Sequence, residues 1–239
     1  MTSILPRLPG EFLDYYLGQG YYRMGQNLFT CRFLPLELGL HTVHWLRLAL
    51  PRVAYGPKQR RLFRLNEHFT VAVKLFRLTP EHTDLYARYY QSLDFDTNPS
   101  LADLLLDGAT QTVFDTHVIE VRDGGQLIAA GVFDQGSDSL AGIVNYYDPA
   151  YHRHSLGKYL MLLKLEHARR RQLTYYYPGY LVHNYPKFDY KLFACLAATE
   201  VYDSRRGKWL PFSWEEVNRE AAALLAERQA QDLAEEEID

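Results

Sequence analysis

The sequence of 239 residues predicts a mixed α/β fold of the α+β type, and two patterns support this. In the middle of the chain, two alternating apolar segments flank a tight-turn signal, which is typical of an antiparallel hairpin. Further along, a strand pattern, a helix pattern and a second strand pattern follow one another, which is typical of a βαβ unit. With 47% hydrophobic residues the chain can bury a substantial core, as one large domain or two small ones.

Two short helices are expected before the hairpin. The first covers residues 80–90, because it begins with a proline and Thr79 stands in the N-cap position. The second covers residues 101–106, because an Asn-Pro-Ser turn precedes it and Gly108 follows, as is common after a helix C-terminus. The chain therefore enters the hairpin from a helical segment.

The hairpin is expected over residues 116–122 and 126–133, because both segments alternate around Asp-Gly-Gly at 123–125. A third strand is expected at residues 141–147, which are rich in β-branched and aromatic side chains. Asp-Pro at 148–149 is a turn dipeptide. The strand that enters the βαβ unit therefore ends at Asp148.

The helix of the βαβ unit is expected over residues 156–171, where apolar side chains recur at helical spacing. Ser155 is its N-cap candidate, and the helix N-terminus offers free backbone N–H groups to an anion. The returning strand is expected at residues 174–177. A site in such a unit is expected at the ends of the strands.

The composition excludes a membrane-spanning protein and a disulfide-stabilised one. No apolar run reaches about 18 residues, and the chain has only two cysteines. Residues 1–11 lack the continuous apolar segment of a signal peptide, so we expect a cytoplasmic protein.

Charge and pattern divide the chain into three segments. Residues 213–239 predict a capped helix with an acidic end, because residues 215–239 carry a net charge of −7 and the preceding 214 residues one of +4. Residues 1–70 are expected to form a small β-rich part and residues 71–212 the main domain. The mildly basic body suits contacts with RNA phosphates, and equally suits ordinary solvated faces.

Several short motifs occur in a recognisable order. They are Gly-Tyr-Tyr-Arg-Met-Gly-Gln-Asn-Leu-Phe at 20–29, Gln-Arg-Arg at 59–61 followed by Asn66, Tyr-Asp-Pro at 147–149, Ser-Leu-Gly at 155–157, Gly-Tyr at 179–180, and Pro-Lys and Tyr-Lys at 186–187 and 190–191. In this order they resemble the aminoacyl-tRNA–protein transferases, the arginyl- and bacterial leucyl-transferases that act on acidic protein N-termini. The resemblance implies a GNAT-like acyltransferase fold with a small β-rich N-terminal part. It also implies aminoacyl-tRNA and protein N-termini beginning with Asp or Glu as partners.

The sequence departs from this family at the cysteines. Members usually carry a cysteine cluster implicated in binding a metal or an iron–sulfur cluster, whereas this chain has only Cys31 and Cys195. His41 and His44 stand where a Cys-x-x-Cys would be expected. A structural metal site needs about four ligands, so we interpret them as strand or surface histidines and expect no metal and no cofactor.

The family motifs suggest contacts for the donor. The backbone N–H groups of Ser155, Leu156 and Gly157 would face the terminal phosphate of the tRNA. Arg60 and Arg61 suit phosphate contacts, and equally suit a solvated strand edge.

The remaining candidates would serve the acceptor and the reaction. Lys187 and Lys191, four residues apart, would recognise the acceptor's acidic side chain or a phosphate, unless both are merely solvated. Tyr180 and Tyr190 would stack on the terminal adenine or form hydrogen bonds in the pocket, unless they are core aromatics. Asp148 would orient the attacking amine, unless it only forms the turn.

Two other functions fit parts of the sequence. A GNAT N-acyltransferase that uses acyl-CoA would place its glycine-rich fingerprint at residues 152–157, where only the last glycine fits. A non-catalytic relative could have kept the fold as a binding protein. Retention of Lys187, Tyr190 and Lys191 argues for an active enzyme.

Overall fold

The computed structural model describes residues 7–36, 39–94 and 97–236. Its strands are β1 (Tyr22–Met24), β2 (Asn27–Phe29), β3 (Phe33–Leu36), β4 (Gly39–Ala49), β5 (Thr70–Leu75), β6 (Thr116–Asp123), β7 (Gln126–Gln135), β8 (Ser139–Tyr147), β9 (Tyr175–Val182), β10 (Thr199–Asp203) and β11 (Lys208–Pro211). Its α-helices are α1 (Gly10–Gly18), α2 (Pro57–Leu65), α3 (Pro80–Gln91), α4 (Leu101–Leu106), α5 (Leu156–Arg170) and α6 (Trp214–Glu236).

One large sheet organises the described residues. Its strand order is β11-β10-β4-β9-β8-β7-β6-β5, with β3 paired to β4 outside this path. The predicted hairpin is present as β6 and β7, which pair antiparallel on either side of the turn at 124–125. The order helix, helix, hairpin, strand, helix, strand from α3 to β9 confirms the predicted mixed α/β, GNAT-like fold.

The βαβ unit is also confirmed, and its two strands separate early. β8 and β9 are parallel, and their register covers only Ser139 to Ala141 against Tyr175 to Tyr177. Past these pairs, β8 continues alongside β7 and β9 continues alongside β4. The sheet therefore opens between two strands that remain paired on their outer sides.

The returning strand is longer than the sequence predicted. We expected it at residues 174–177, whereas β9 covers Tyr175–Val182. Pro178 cannot donate a ladder hydrogen bond, and the register of β4 shifts between Leu46 and Leu48, opposite this proline. The register shift in β4 accommodates the missing N–H donor, so β9 continues past Pro178.

Helices cover both faces of the sheet. On one face, α5 packs its buried Leu160 and Leu165 against a cluster that includes Ile119 of β6. On the other face, α3 and α4 pack around Tyr146. The predicted cap of α3 is present, since the Thr79 side chain accepts a hydrogen bond from the His82 backbone N–H. The α4 helix is capped by Ser100, whose side chain accepts a hydrogen bond from the Asp103 backbone N–H.

The opening motif is fixed to the main sheet by Arg23. Its guanidinium is buried and donates to the Asp134 carboxylate at 2.8 Å, to the Thr116 hydroxyl at 2.9 Å and to the Leu105 carbonyl. In the same N-terminal region, β4 lies inside the sheet between β9 and β10. Residues 1–70 thus supply an interior strand, and the segment boundaries at residues 70 and 212 stay a prediction.

The C-terminal helix is capped as predicted, because the Ser213 hydroxyl accepts a hydrogen bond from the Glu216 backbone N–H at 3.1 Å. Val217 and Leu224 of α6 are buried. The last acidic residues, 237–239, lie outside the described residues. In the part of the chain that the structure describes, no helix has both the length and the apolarity needed to cross a membrane.

Arg23→Met should lower the free energy of unfolding by about 3–5 kcal/mol, because it leaves the Asp134 carboxylate buried without its partner. Arg169→Met is the matched control, since its ion pair with Glu166 is partly exposed and should contribute less than about 1 kcal/mol. Denaturant unfolding measures both. Equal losses in the two variants would contradict the anchoring role of Arg23.

Candidate functional site

A pocket lies where β8 and β9 separate, as expected for a site at the strand ends. Its volume is about 210 Å³. Its walls come from both diverging strands, from α5, from the 3₁₀ turn Pro186–Phe193 and from the opening motif. The lining residues are Tyr22, Gly142, Ile143, Val144, Asn145, Met161, Lys164, Tyr176, Pro178, Gly179, Tyr180, Phe188, Tyr190 and Lys191.

The described residues that line the pocket include two lysines and no Asp or Glu. Lys164 and Lys191 are both buried, with exposed fractions of 1% and 8%. Burial lowers the pKa of each amine to about 7, because the charged form loses hydration, and the carboxylates of Asp134 near Lys164 and Asp189 near Lys191 offset only part of this loss. An anion entering the pocket would favour the charged form of both amines.

Lys191 faces the pocket without a hydrogen bond to any described residue. Its Nζ lies 4.5 Å from the ring centroid of Phe188, 4.9 Å from that of Tyr190 and 5.5 Å from that of Tyr180. These ring faces attract a cation but offer no oxygen acceptor of the kind an ammonium prefers. The amine is therefore available to a ligand.

Lys164 differs because its Nζ is satisfied by the protein. It donates to the Val132 carbonyl at 2.7 Å and to the Asn145 side-chain oxygen at 2.8 Å, and lies 3.5 Å from the Val144 carbonyl. These three acceptors match the three protons of an ammonium group. The Asn145 amide in turn donates to the Gly157 carbonyl at 3.3 Å, which links the pocket to the first turn of α5.

Sequence reasoning missed Lys164. The signal was present, because Lys164 stands four residues after Leu160 and four before Ala168, on the buried stripe of α5. A lysine on such a stripe is a candidate for a buried amine.

Both predicted tyrosines line the pocket. Tyr180 stacks on Phe188 with ring centroids 5.3 Å apart and meets Trp45 edge to face at 5.1 Å. Tyr190 is 43% exposed. Desolvation of the hydroxyl groups raises the pKa of Tyr180 and raises that of Tyr190 to about 12, although the Tyr190 residue as a whole is partly exposed, so both hydroxyls are protonated donors at neutral pH. Their catalytic roles stay a prediction.

The predicted donor-binding turn lies beside the pocket rather than in its lining. Ser155 precedes α5 as expected but adopts a left-handed conformation at φ +47°, and its side chain makes no capping hydrogen bond. The expected side-chain cap is therefore wrong. Leu156 is buried, and a Cβ added at Gly157 would lie 3.0 Å from Cε1 of Tyr147.

Asp148 and the two arginines lie outside the lining. The Asp148 carboxylate accepts a hydrogen bond from the Ala150 N–H at 3.0 Å, as in a turn, and lies 3.5 Å from Nε of Arg88. Arg60 and Arg61 are exposed on α2, so the expectation of a strand edge is wrong. Any phosphate contacts of these arginines stay a prediction.

The polar residues around these arginines have structural partners. The Gln59 side chain donates to the Phe193 carbonyl at 2.5 Å, and the Asn66 side chain donates to the His154 carbonyl at 3.1 Å. The second motif therefore ties α2 to the turns on either side of the pocket.

The two predicted lysines do not share one site. Lys191 lines the pocket, whereas Lys187 is half-exposed and forms an ion pair with Asp94 at 2.9 Å. The segment Pro186–Phe193 is a 3₁₀ turn, which has three residues per turn. Residues four apart are thus rotated away from each other, unlike on an α-helix.

His41 and His44, predicted to be strand or surface histidines, lie on β4. Nδ1 of the buried His44 lies 3.1 Å from Oε2 of Glu220, and Nδ1 of His41 lies 3.1 Å from the His183 carbonyl. Within the described ranges, no group of three or more His, Cys, Asp or Glu side chains could hold a metal ion. Both histidines thus have partners within the protein, the Glu220 carboxylate for His44 and the His183 carbonyl for His41.

Lys191→Met should raise the free energy of unfolding at pH 7 by about 1 kcal/mol or more, because it removes a buried amine that has no hydrogen bond. The unfolded chain binds more protons than the folded one between pH 7 and the ordinary lysine pKa of about 10.4, so the gain should shrink as pH rises through this window. Lys187→Met is the control and should change stability by less than about 1 kcal/mol. A Lys191→Met protein that is less stable than the wild type would contradict the claim that the buried amine lacks a stabilising hydrogen-bond partner.

Comparison with known proteins agrees with the motif order. The family model described as arginine-tRNA-protein transferase, C terminus, matches residues 81–194. The aspartate/glutamate leucyltransferase of Hahella chejuensis is 33% identical over 178 residues, covering 72% of this chain and 73% of that protein. The enzyme of the same name from Nitrosococcus oceani is 30% identical over 199 residues, covering 80% and 78%.

Two solved structures are distantly similar. L-PGS from Bacillus licheniformis has a TM-score of 0.43 at 15% identity, covering 74% of this chain and 53% of that one. A fungal GCN5-related glucosamine N-acetyltransferase region has a TM-score of 0.40 at 12% identity, covering 80% and 22%. The sequence relatives, in contrast, share most of their length with this chain. The chain therefore belongs to the aminoacyl-tRNA–protein transferase family, as its ordered motifs predicted.

Proposed function

We propose that this protein transfers an amino acid from a charged tRNA to the α-amine of a protein N-terminus, with Asp or Glu as the preferred first residue of the acceptor. Family membership supports the reaction type. The observation that carries the acceptor preference is the pocket between β8 and β9, whose described lining has two lysines and no acidic residue. Such a pocket attracts a carboxylate and disfavours a cation.

The reaction is aminolysis of an ester. The neutral α-amine of the acceptor attacks the aminoacyl carbonyl carbon, the bond to the ribose oxygen breaks, and the amine proton is finally taken by that oxygen. An α-amine has a pKa of about 7.7–8.0, so a fraction is neutral near pH 7. Alignment and stabilisation of the oxyanion then suffice, without a covalent nucleophile.

The pocket residues divide between these tasks. Lys191 meets the acceptor's side-chain carboxylate, because its amine faces the cavity without a hydrogen bond to a described residue. Tyr180 and Tyr190 donate their hydroxyls or stack on the terminal adenine. Asp148 attracts the acceptor amine from the neighbouring turn. Lys187 contributes positive charge at the outer side of the same 3₁₀ turn.

The donor tRNA lies on the outer side of the pocket. The turn formed by Ser155, Leu156 and Gly157 offers backbone N–H groups at the N-terminus of α5 to the terminal phosphate. Arg60 and Arg61, which are exposed on α2, would contact phosphates of the tRNA backbone. The proposal includes a cytoplasmic location, where charged tRNA is available, and a role in marking proteins by arginylation or leucylation of an N-degron.

A transfer assay tests this function directly. Purified protein is incubated with tRNAs charged with Leu, Arg, Phe or Lys and with peptides that begin with Glu, Gln, Asp, Asn or Lys. We expect transfer from leucyl- or arginyl-tRNA, with Glu and Asp peptides used at least about 10-fold better than their amides, since one charge-assisted hydrogen bond is worth about 1.5–3 kcal/mol.

Two outcomes would contradict the proposal. Acylation from acyl-CoA without tRNA would support the acyl-CoA alternative, and equal use of Glu and Gln peptides would remove the acceptor preference. Heat-denatured protein and uncharged tRNA are the controls.

A further inference from the structure

Tyr22, in the opening motif, lines the pocket and has no role in the function described so far. Its ring stacks on Trp45 with centroids 5.4 Å apart, and the residue is 9% exposed. Its hydroxyl is buried and has no hydrogen-bond partner among the described residues. A buried polar group without a partner costs about 1–3 kcal/mol, so this hydroxyl is a candidate for binding a ligand.

Gly179 lies between this hydroxyl and the side chain of Lys191. A Cβ added at Gly179 would lie 3.6 Å from Cε of Lys191 and 3.9 Å from the Tyr22 hydroxyl. The glycine has φ +99°, a conformation that side-chain-bearing residues rarely adopt. The strand thus lacks a side chain between the Tyr22 hydroxyl and the Lys191 side chain, neither of which donates a hydrogen bond to a described residue.

We propose that the Tyr22 hydroxyl and the Lys191 amine form a two-donor subsite for the side-chain carboxylate of the acceptor's first residue. This inference rests on the proposed function and deepens it. A carboxylate presents two acceptor oxygens, one for each donor. The neutral amide of Gln or Asn presents only one acceptor oxygen and has no charge to pair with the ammonium of Lys191.

The rest of the opening motif holds Tyr22 in place. Arg23, the next residue, is bound to Asp134, Thr116 and the Leu105 carbonyl in the core. Because these bonds fix the backbone beside Tyr22 and Trp45 fixes its ring, the hydroxyl is pre-positioned and loses little freedom on binding. The opening motif therefore contributes to the pocket, although it is distant in sequence from the other lining residues.

Tyr22→Phe tests this subsite, with Tyr21→Phe as the matched control, because Tyr21 loses the same atom but does not line the pocket. Tyr22→Phe breaks no hydrogen bond within the described protein, so its melting temperature should be equal to or higher than that of the wild type. Its kcat/KM for Glu and Asp peptides should fall about 10- to 100-fold. The kcat/KM values for Gln and Asn peptides should change much less, so the preference for acidic over amide peptides should fall together with the activity.

The outcomes separate this subsite from the proposed function. A loss shared equally by acidic and amide peptides would overturn the subsite, because the hydroxyl would then serve a step common to all acceptors. Unchanged selectivity in a folded Tyr22→Phe protein would overturn it as well.

Calorimetric binding of a Glu-Ala and a Gln-Ala dipeptide, without any tRNA, supplies a readout that is independent of transfer. Tighter binding of Glu-Ala that is lost in Tyr22→Phe supports the subsite even if no charged tRNA is a donor, in which case only the proposed function fails. Equal binding of Glu-Ala by the wild type and by Tyr22→Phe would overturn the subsite even if transfer is observed.

Discussion

The short parallel pairing of β8 with β9 is the constraint on which the site depends. Only three residue pairs join these strands before they diverge, while β7 and β4 hold their outer edges. Divergence exposes strand backbone and the side chains of α5 beneath it, and this creates a cavity that a continuous ladder would fill. The remaining elements then close the opening, namely the 3₁₀ turn Pro186–Phe193 on one side and the opening motif on the other.

The cavity retains groups that are unfavourable for folding. The Lys191 side chain is buried and makes no hydrogen bond to a described residue, and the Tyr22 hydroxyl is fully buried without a hydrogen-bond partner. Lys164 is buried as well, but three oxygen acceptors surround its amine. Lys164 therefore links the strands through its hydrogen bonds, whereas the Lys191 amine remains available to a ligand. Donors without protein acceptors, such as the Lys191 amine and the Tyr22 hydroxyl, are expected where residues are selected for ligand binding rather than for stability.

Local patterns predicted the fold well, because each depends on neighbours in sequence. The cap at Thr79 and the hairpin turn at 124–125 are of this kind. The site was predicted in part: Lys191, Tyr180 and Tyr190 line the pocket, whereas Lys187 does not, because a 3₁₀ turn replaces the α-helical one. Tyr22 could not be assigned from sequence, since the long-range ion pair of its neighbour Arg23 brings it to the pocket.

The proposed role of Lys191 is to supply a buried amine that binds an anionic ligand, and the pKa of the Lys191 side chain tests this role most directly. Heteronuclear NMR can follow the titration of the Lys191 side chain in protein labelled at lysine, with Lys191→Met used for the assignment. We predict a pKa of about 7 in the free protein and a higher value when a peptide beginning with Glu is bound, with no rise for the Gln peptide. An ordinary lysine pKa of about 10.4 in the free protein, unaffected by either peptide, would contradict the account.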